Sequence, residues 1–110
     1  MEQKTSTEEL RRTNFRRNNR TVLQTINVMR EDYTPLESVA DALENTISYA
    51  DVTDCVNYLT ESGYIKLRIR GSQTAVTDLA DAEFGQLGAK LTAKGIQLLN
   101  GKIDDPCIRR

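Results

Sequence analysis

The sequence predicts a mainly α (α+β) domain with three helices, a β-hairpin and a C-terminal helix. Three observations carry this. Capped, amphipathic helical segments occupy the first 63 residues. A strictly alternating segment follows at 64–70. A Thr-capped apolar segment then lies near the end of the chain.

The first helix is expected to begin near Ser6 or Thr7. Ser6-Thr7-Glu8-Glu9 has the Ser-x-x-Glu spacing of a capping box. Phe15, Val22, Leu23, Ile26 and Met29 recur at helical spacing. From Glu8 to Asn19 only Leu10 and Phe15 are large and apolar. This stretch reads as a solvated extension that orders against a partner. Thr34 is expected to cap the second helix with Pro35 in its first turn, where the missing N–H costs nothing. Leu36, Val39, Ala40 and Leu43 form its apolar face. Asn45-Thr46-Ile47 reads as a turn. Ser48 caps the third helix, whose stripe is Val52, Cys55, Val56 and Leu59. Gly63 stands where a left-handed C-terminal residue is expected.

Ile65, Leu67 and Ile69 then alternate with Lys66, Arg68 and Arg70, which predicts a half-buried strand with a basic outer face. Gly71-Ser72-Gln73 reads as a turn. Residues 74–88 fit a strand or a short helix around Val76, Leu79 and Phe84. Ala89 to Leu91 fits a short return strand. Thr92 caps the last helix, with Ile96, Leu99 and Ile103 expected to face inward. Pro106 keeps residues 104–110 from extending that helix. The expected organisation is a basic helical extension over 1–20, a domain over 21–103 and a C-terminal tail over 104–110.

Composition excludes several classes. With 110 residues, the chain suits one core. It has no stretch near the ~20 apolar residues of a membrane span. Its first residues lack the apolar centre of a signal peptide, so a cytoplasmic protein without membrane contact is expected. No His is present, which excludes a Ser-His-Asp triad. With only Cys55 and Cys107 besides, neither a disulfide framework nor a transition-metal site is expected. Nucleotide-binding glycine loops are absent. No enzyme, catalytic residue or cofactor is predicted. Cys55 reads as core and Cys107 as incidental. Tyr33, Tyr49, Tyr58 and Tyr64 read as core and junction contacts, and Asp104-Asp105 as part of a solvated tail.

The formal net charge is -1, from 15 basic and 16 acidic side chains, but the charge is segregated. Residues 1–30 carry Lys4, Arg11, Arg12, Arg16, Arg17, Arg20 and Arg30 against three acidic residues. Residues 31–63 are acidic throughout (Glu31, Asp32, Glu37, Asp41, Glu44, Asp51, Asp54, Glu61), with no cation. Residues 64–110 are again basic in balance.

Two motifs narrow the fold. Leu59-Thr60-Glu61-Ser62-Gly63-Tyr64-Ile65 resembles the junction between recognition helix and wing in winged helix-turn-helix proteins. Leu91-Thr92-Ala93-Lys94-Gly95-Ile96 resembles the Leu-Thr-x-x-Gly motif that closes the wing and caps the next helix. With Gly101 and Pro106-Cys107-Ile108-Arg109, the C-terminal part resembles small winged-helix proteins of Mu-like phages and prophages. Cys107 stands where glycine is more usual in them. The resemblance spans roughly residues 20–110. It implies a phage or prophage origin and a bacterial host cell, but no defined biochemical activity, since that group is assigned by fold. A DNA-binding, transcription-regulatory role is the function expected for this chain. The resemblance also implies a homodimer, since the first and last helices of this fold often pair.

The third helix is an unusual DNA reader. Thr53 and Asn57 are suited to phosphate and adenine. Asp51 and Asp54 beside them repel a phosphodiester. The cations lie elsewhere. Arg12, Arg16 and Arg20, four apart, form a ridge flanked by Arg11 and Arg17. Lys66, Arg68 and Arg70 share a strand face. The ridge fits three uses: a solvated face with Glu8–Arg12 pairing, a phosphate backbone, or an acidic protein partner such as the 31–63 surface of another copy. The expected DNA-binding set is therefore Arg11, Arg12, Arg16, Arg17, Arg20, Thr53, Asn57, Lys66, Arg68 and Arg70. The alternative is a protein-interaction module that reads no DNA.

Overall fold

Helix α1 runs unbroken over Glu2–Met29 in the computed structural model, which describes residues 2–29 and 32–110, with side chains from residue 7 onward except residue 81. At 28 residues it is about 42 Å long. It sets the longest dimension of the molecule, 51 Å. Ser6 is an interior helical position rather than a cap, because the helix begins at Glu2 and not near Ser6 or Thr7. Propensity explains this: residues 2–12 contain neither Gly nor Pro to stop the helix. The side chains of Lys4 and Ser6, and Arg30 and Glu31 altogether, lie outside the described residues. No break in α1 separates residues 2–20 from the rest. Thr7 to Thr13 are exposed all round, so these turns project from the body. Phe15 is the first anchor, edge-on to Tyr58 at 5.5 Å. Val22, Leu23 and Ile26 are fully buried.

The body is an α+β structure. β1 (Thr34–Pro35) leads into α2 (Leu36–Leu43), then α3 (Tyr49–Glu61), β2 (Ile65–Ile69), β3 (Ala75–Val76), β4 (Leu87–Leu91) and α4 (Ala93–Leu99). The strands form one antiparallel sheet in the order β1-β4-β2-β3. Ile65 and Leu67 on β2, with Leu87, Ala89 and Leu91 on β4, turn to the core. There they join Leu36, Val39, Val52, Val56 and Leu59 of α2 and α3.

Thr34 is not a helix cap. It pairs with Ala89 in the sheet, and Pro35 occupies the cap position of α2 without a side-chain bond. Sheet pairing takes residue 34 into the interior, where its buried hydroxyl has no partner among the described residues. Ser48 and Thr92 do cap their helices. Their hydroxyls accept from the Asp51 and Gly95 amides, each at 3.1 Å. Residues 74–86 combine both expected readings: Val76 lies in β3, and Leu79 and Phe84 lie in 3-10 turns at Leu79–Asp81 and Phe84–Gln86.

The two sequence motifs are joined in space. Gly63 has φ +83° and turns the chain out of α3. Thr92 donates its hydroxyl to the Gly63 carbonyl at 2.6 Å and its amide to the Tyr64 carbonyl at 2.9 Å. Gly95 lies against that same Tyr64 carbonyl, so close that a Cβ would collide with the oxygen. The start of β2 and the start of α4 are therefore held as one corner.

The C-terminus is not a tail. Ile108 is 2% exposed. The Ile108 amide bonds the Asp105 carbonyl at 3.0 Å, closing a tight turn around Pro106. Asp105 accepts from the Tyr58 hydroxyl at 2.7 Å and from the Tyr64 hydroxyl at 2.7 Å. Asn19 on α1 donates to the Cys107 carbonyl at 3.0 Å. Ile96, expected to face inward, is 49% exposed, and Leu98 takes the core position instead. α4 is only seven residues long, and the corner at Gly95 fixes its rotation.

Candidate nucleic-acid interface

The expected residues fall on three separate surfaces. On α1, Arg12, Arg16 and Arg20 share a ridge, as their spacing requires. Arg12 pairs with Glu8 at 3.7 Å. The Arg16 carbonyl accepts from the Arg109 amide at 3.1 Å, and Arg20 Nη1 donates to the Arg109 carbonyl at 3.2 Å. Arg109 is thereby planted beside the ridge. Arg17 Nη2 reaches the Asn18 Oδ1 at 3.4 Å. Arg11 lies apart from them. It borders a groove of about 350 Å³ together with Asn14 and Asn18 of α1 and with Asp51 and Asp54 of α3. Its charge is opposed to the carboxylates of α3 rather than added to the ridge.

The α3 surface is acidic. Asp51, Asp54, Asn57 and Glu61 are exposed along it, and so is Tyr49. Thr53 donates back to the Tyr49 carbonyl of its own helix at 3.0 Å, so its hydroxyl proton is already engaged. Asn57 remains exposed. Beneath this face, Cys55 is pushed up to about 12 by burial and then by the charges of Asp51 and Asp54. It is a core thiol.

The strand face is basic but partly neutralised. Lys66, Arg68 and Arg70 alternate outward along β2 and beyond, as expected. Arg68 is only 24% exposed. Its guanidinium stacks over the Tyr33 ring at 3.9 Å and pairs with Asp32 at 3.1 Å. Lys90 on β4 reaches the same Asp32 at 3.8 Å. Gly88, opposite Arg68 in the register, makes room for Tyr33: a Cβ there would lie 2.9 Å from the Tyr33 Cβ. The Asp32-Tyr33 pair thus covers the middle of the face. Lys66 stands directly across from Lys90 in the register. Like charges facing across a sheet repel, and an anion between them relieves this.

Two cations escape the sequence reading. Lys90 is flanked by buried Ala89 and Leu91, and its outward position could have been read from that alternation. Arg109 carried no such signal, since its place depends on a docked C-terminus. The α1 ridge and the strand face are not contiguous. Along α1, Arg20 precedes Met29 by about 13 Å at the helical rise, and Asp32 and Tyr33 lie beyond that end. Among the described residues no cluster of His, Cys, Asp or Glu has the makings of a metal site. No described helix is long and apolar enough to cross a membrane. No protein-family model, curated protein or solved structure matches this chain.

Proposed function

We propose that the chain is a phage-type winged-helix DNA-binding protein with a regulatory role. It contacts the phosphate backbone through the α1 ridge and the outer face of β2 and β4. The observation that carries this reading is the ridge itself. A continuous helix projects Arg12, Arg16 and Arg20 in one row, and only Arg12 has a carboxylate partner among the described residues. The winged-helix reading is supported by the element order α1-α2-α3-β2-β4-α4 and by the joined corner at Gly63 and Thr92. A homodimer paired through α1 and α4 belongs to the same reading. It is supported by the exposed Ile96, which shares a cleft of about 260 Å³ with Ile26 of α1.

The test is duplex binding by fluorescence anisotropy at low salt. Each phosphate neutralised adds about 0.9 to the salt slope. The Arg12/Arg16/Arg20→Ala variant is expected to lose most of the slope, and Asn57→Ala little. No binding at any salt overturns the reading. Light scattering at tens of micromolar tests the dimer; a monomer there removes it.

A second reading, a protein-interaction module, is favoured by α3. Its outward row of Asp51, Asp54 and Glu61 with no cation suits a basic protein surface better than a major groove.

A further inference from the structure

We infer that the C-terminal segment 104–110 is a latch that builds a phosphate site, in which Arg109 joins Arg16 and Arg20. This rests on the nucleic-acid reading for the source of the phosphate, but not for the site itself.

The segment is fixed from both sides. Ile108 anchors it in the core. Asp105 ties it to α3 through Tyr58 and to the start of β2 through Tyr64. Its carboxylate also accepts from the Cys107 amide at 2.8 Å, which holds the turn. Asn19 then clamps the Cys107 carbonyl to α1. The outcome is positional: Arg109 has its amide on the Arg16 carbonyl, and its own carbonyl accepts from Arg20.

Asp104 and Asp105 line one groove with Arg20 and Arg109, but each is bonded to other groups. Asp104 pairs with Arg110 at 3.2 Å. Asp105 is turned inward to the two tyrosines. Among the described residues Arg16, Arg20 and Arg109 have no carboxylate partner. Arg16 and Arg109 are exposed. The contacts that hold Arg109 run through the backbones of Arg16 and Arg109 and set three cationic residues side by side. Like charges on adjoining residues repel, and an anion bound among them relieves this. Planar guanidinium forks match phosphate oxygens better than point charges do. The ligand class is thus a phosphate group, on a nucleic-acid backbone or free.

Two probes separate these sources: a duplex of about two turns, and inorganic tripolyphosphate followed by calorimetry. Arg109→Ala lies on the surface and leaves the fold intact. It is expected to weaken duplex binding about five-fold at low salt and to lower the salt slope by about 0.9. Asp105→Asn gives the sharper sign. It removes a negative charge, so charge alone predicts tighter anion binding. The latch predicts weaker binding, because Arg109 is released. Wild type that binds tripolyphosphate through Arg109 but binds no duplex ends the DNA reading and keeps the site. Duplex binding unchanged in Arg109→Ala ends the site and keeps the reading. Tighter binding by Asp105→Asn ends the latch. Binding of neither probe ends both.

Discussion

The Tyr64 hydroxyl donates to Asp105 Oδ2 at 2.7 Å, joining the start of β2 to the C-terminal turn across 41 positions of chain. Tyr58 donates to the same carboxylate, at 2.7 and 2.9 Å to its two oxygens. One side chain therefore satisfies two hydroxyls and its own turn. Hydrogen bonds to a charged group contribute about 1.5–3 kcal/mol each and do not add. Asp105→Ala is expected to destabilise the fold by about 2–3 kcal/mol, and Tyr64→Phe by about 1 kcal/mol. Urea unfolding followed by circular dichroism measures both. An Asp105→Ala loss below that of Tyr64→Phe would remove Asp105 from the centre of the network.

The same cluster sets a pH window. Burial pushes the Asp105 carboxyl up, but the Tyr64 and Tyr58 hydroxyls, the Cys107 amide and the Lys94 charge outweigh it and hold it below the usual range. Tyr64 is raised to about 12, by burial first and then by the Asp105 hydrogen bond. Tyr58 moves in the same direction for the same leading reason. A depressed acid stabilises above its unfolded value, so the Asp105 contribution is full above about pH 4 and lost as pH falls below it. A raised tyrosine stabilises below its unfolded value, so that contribution is full below about pH 10 and lost as pH rises toward the folded value. The stability gap between wild type and Asp105→Asn should be widest between these limits and close on either side. A gap independent of pH from 3 to 11 would refute the linkage.

Gly95 explains why the Leu91-Thr92-Ala93-Lys94-Gly95 pattern needs its last residue. The position has no unusual backbone angle; what it lacks is space, since the Tyr64 carbonyl fills the place of a Cβ. That carbonyl is fixed by the Thr92 amide and cannot withdraw cheaply. Gly95→Ala is expected to cost about 1–3 kcal/mol, as overpacking does, despite the better helix propensity of alanine. Thermal unfolding decides it, and an unchanged or raised midpoint would show that the corner yields.

These contacts also show what was legible in the sequence. Elements with a periodic stripe and a cap could be placed: α3 with Ser48, β2 with its alternation, and α4 with Thr92. Two-residue strands carry no period, so β1 and β3 were invisible, and with β1 the true role of Thr34. The docked C-terminus was hidden for a different reason. Asp105, Cys107 and Arg109 act through partners 41 to 93 positions away, and no local pattern encodes such a pairing. The Arg ridge was legible because four-residue spacing on a helix is local. The neutralisation of Arg68 was not, since Asp32 and Tyr33 reach it only through the β1–β4 pairing.

Asp32 is the group that most reduces the basic character of the strand face, because it pairs with both Arg68 and Lys90. It is 73% exposed, so losing it should change stability by less than about 1 kcal/mol. Arg68 would stay in place, since the Tyr33 ring beneath its guanidinium holds it independently of the carboxylate. Asp32→Ala therefore removes a negative charge without releasing the cation. One charge at ~6 Å in water is worth about 0.7 kcal/mol, close to a threefold change in affinity. Duplex binding at low salt should tighten by about that factor, and Tyr33→Ala in the same background should cancel the gain by freeing Arg68. Anisotropy titrations of the two variants test it. Unchanged affinity in Asp32→Ala would exclude this face from the contact and leave the α1 ridge to bind alone.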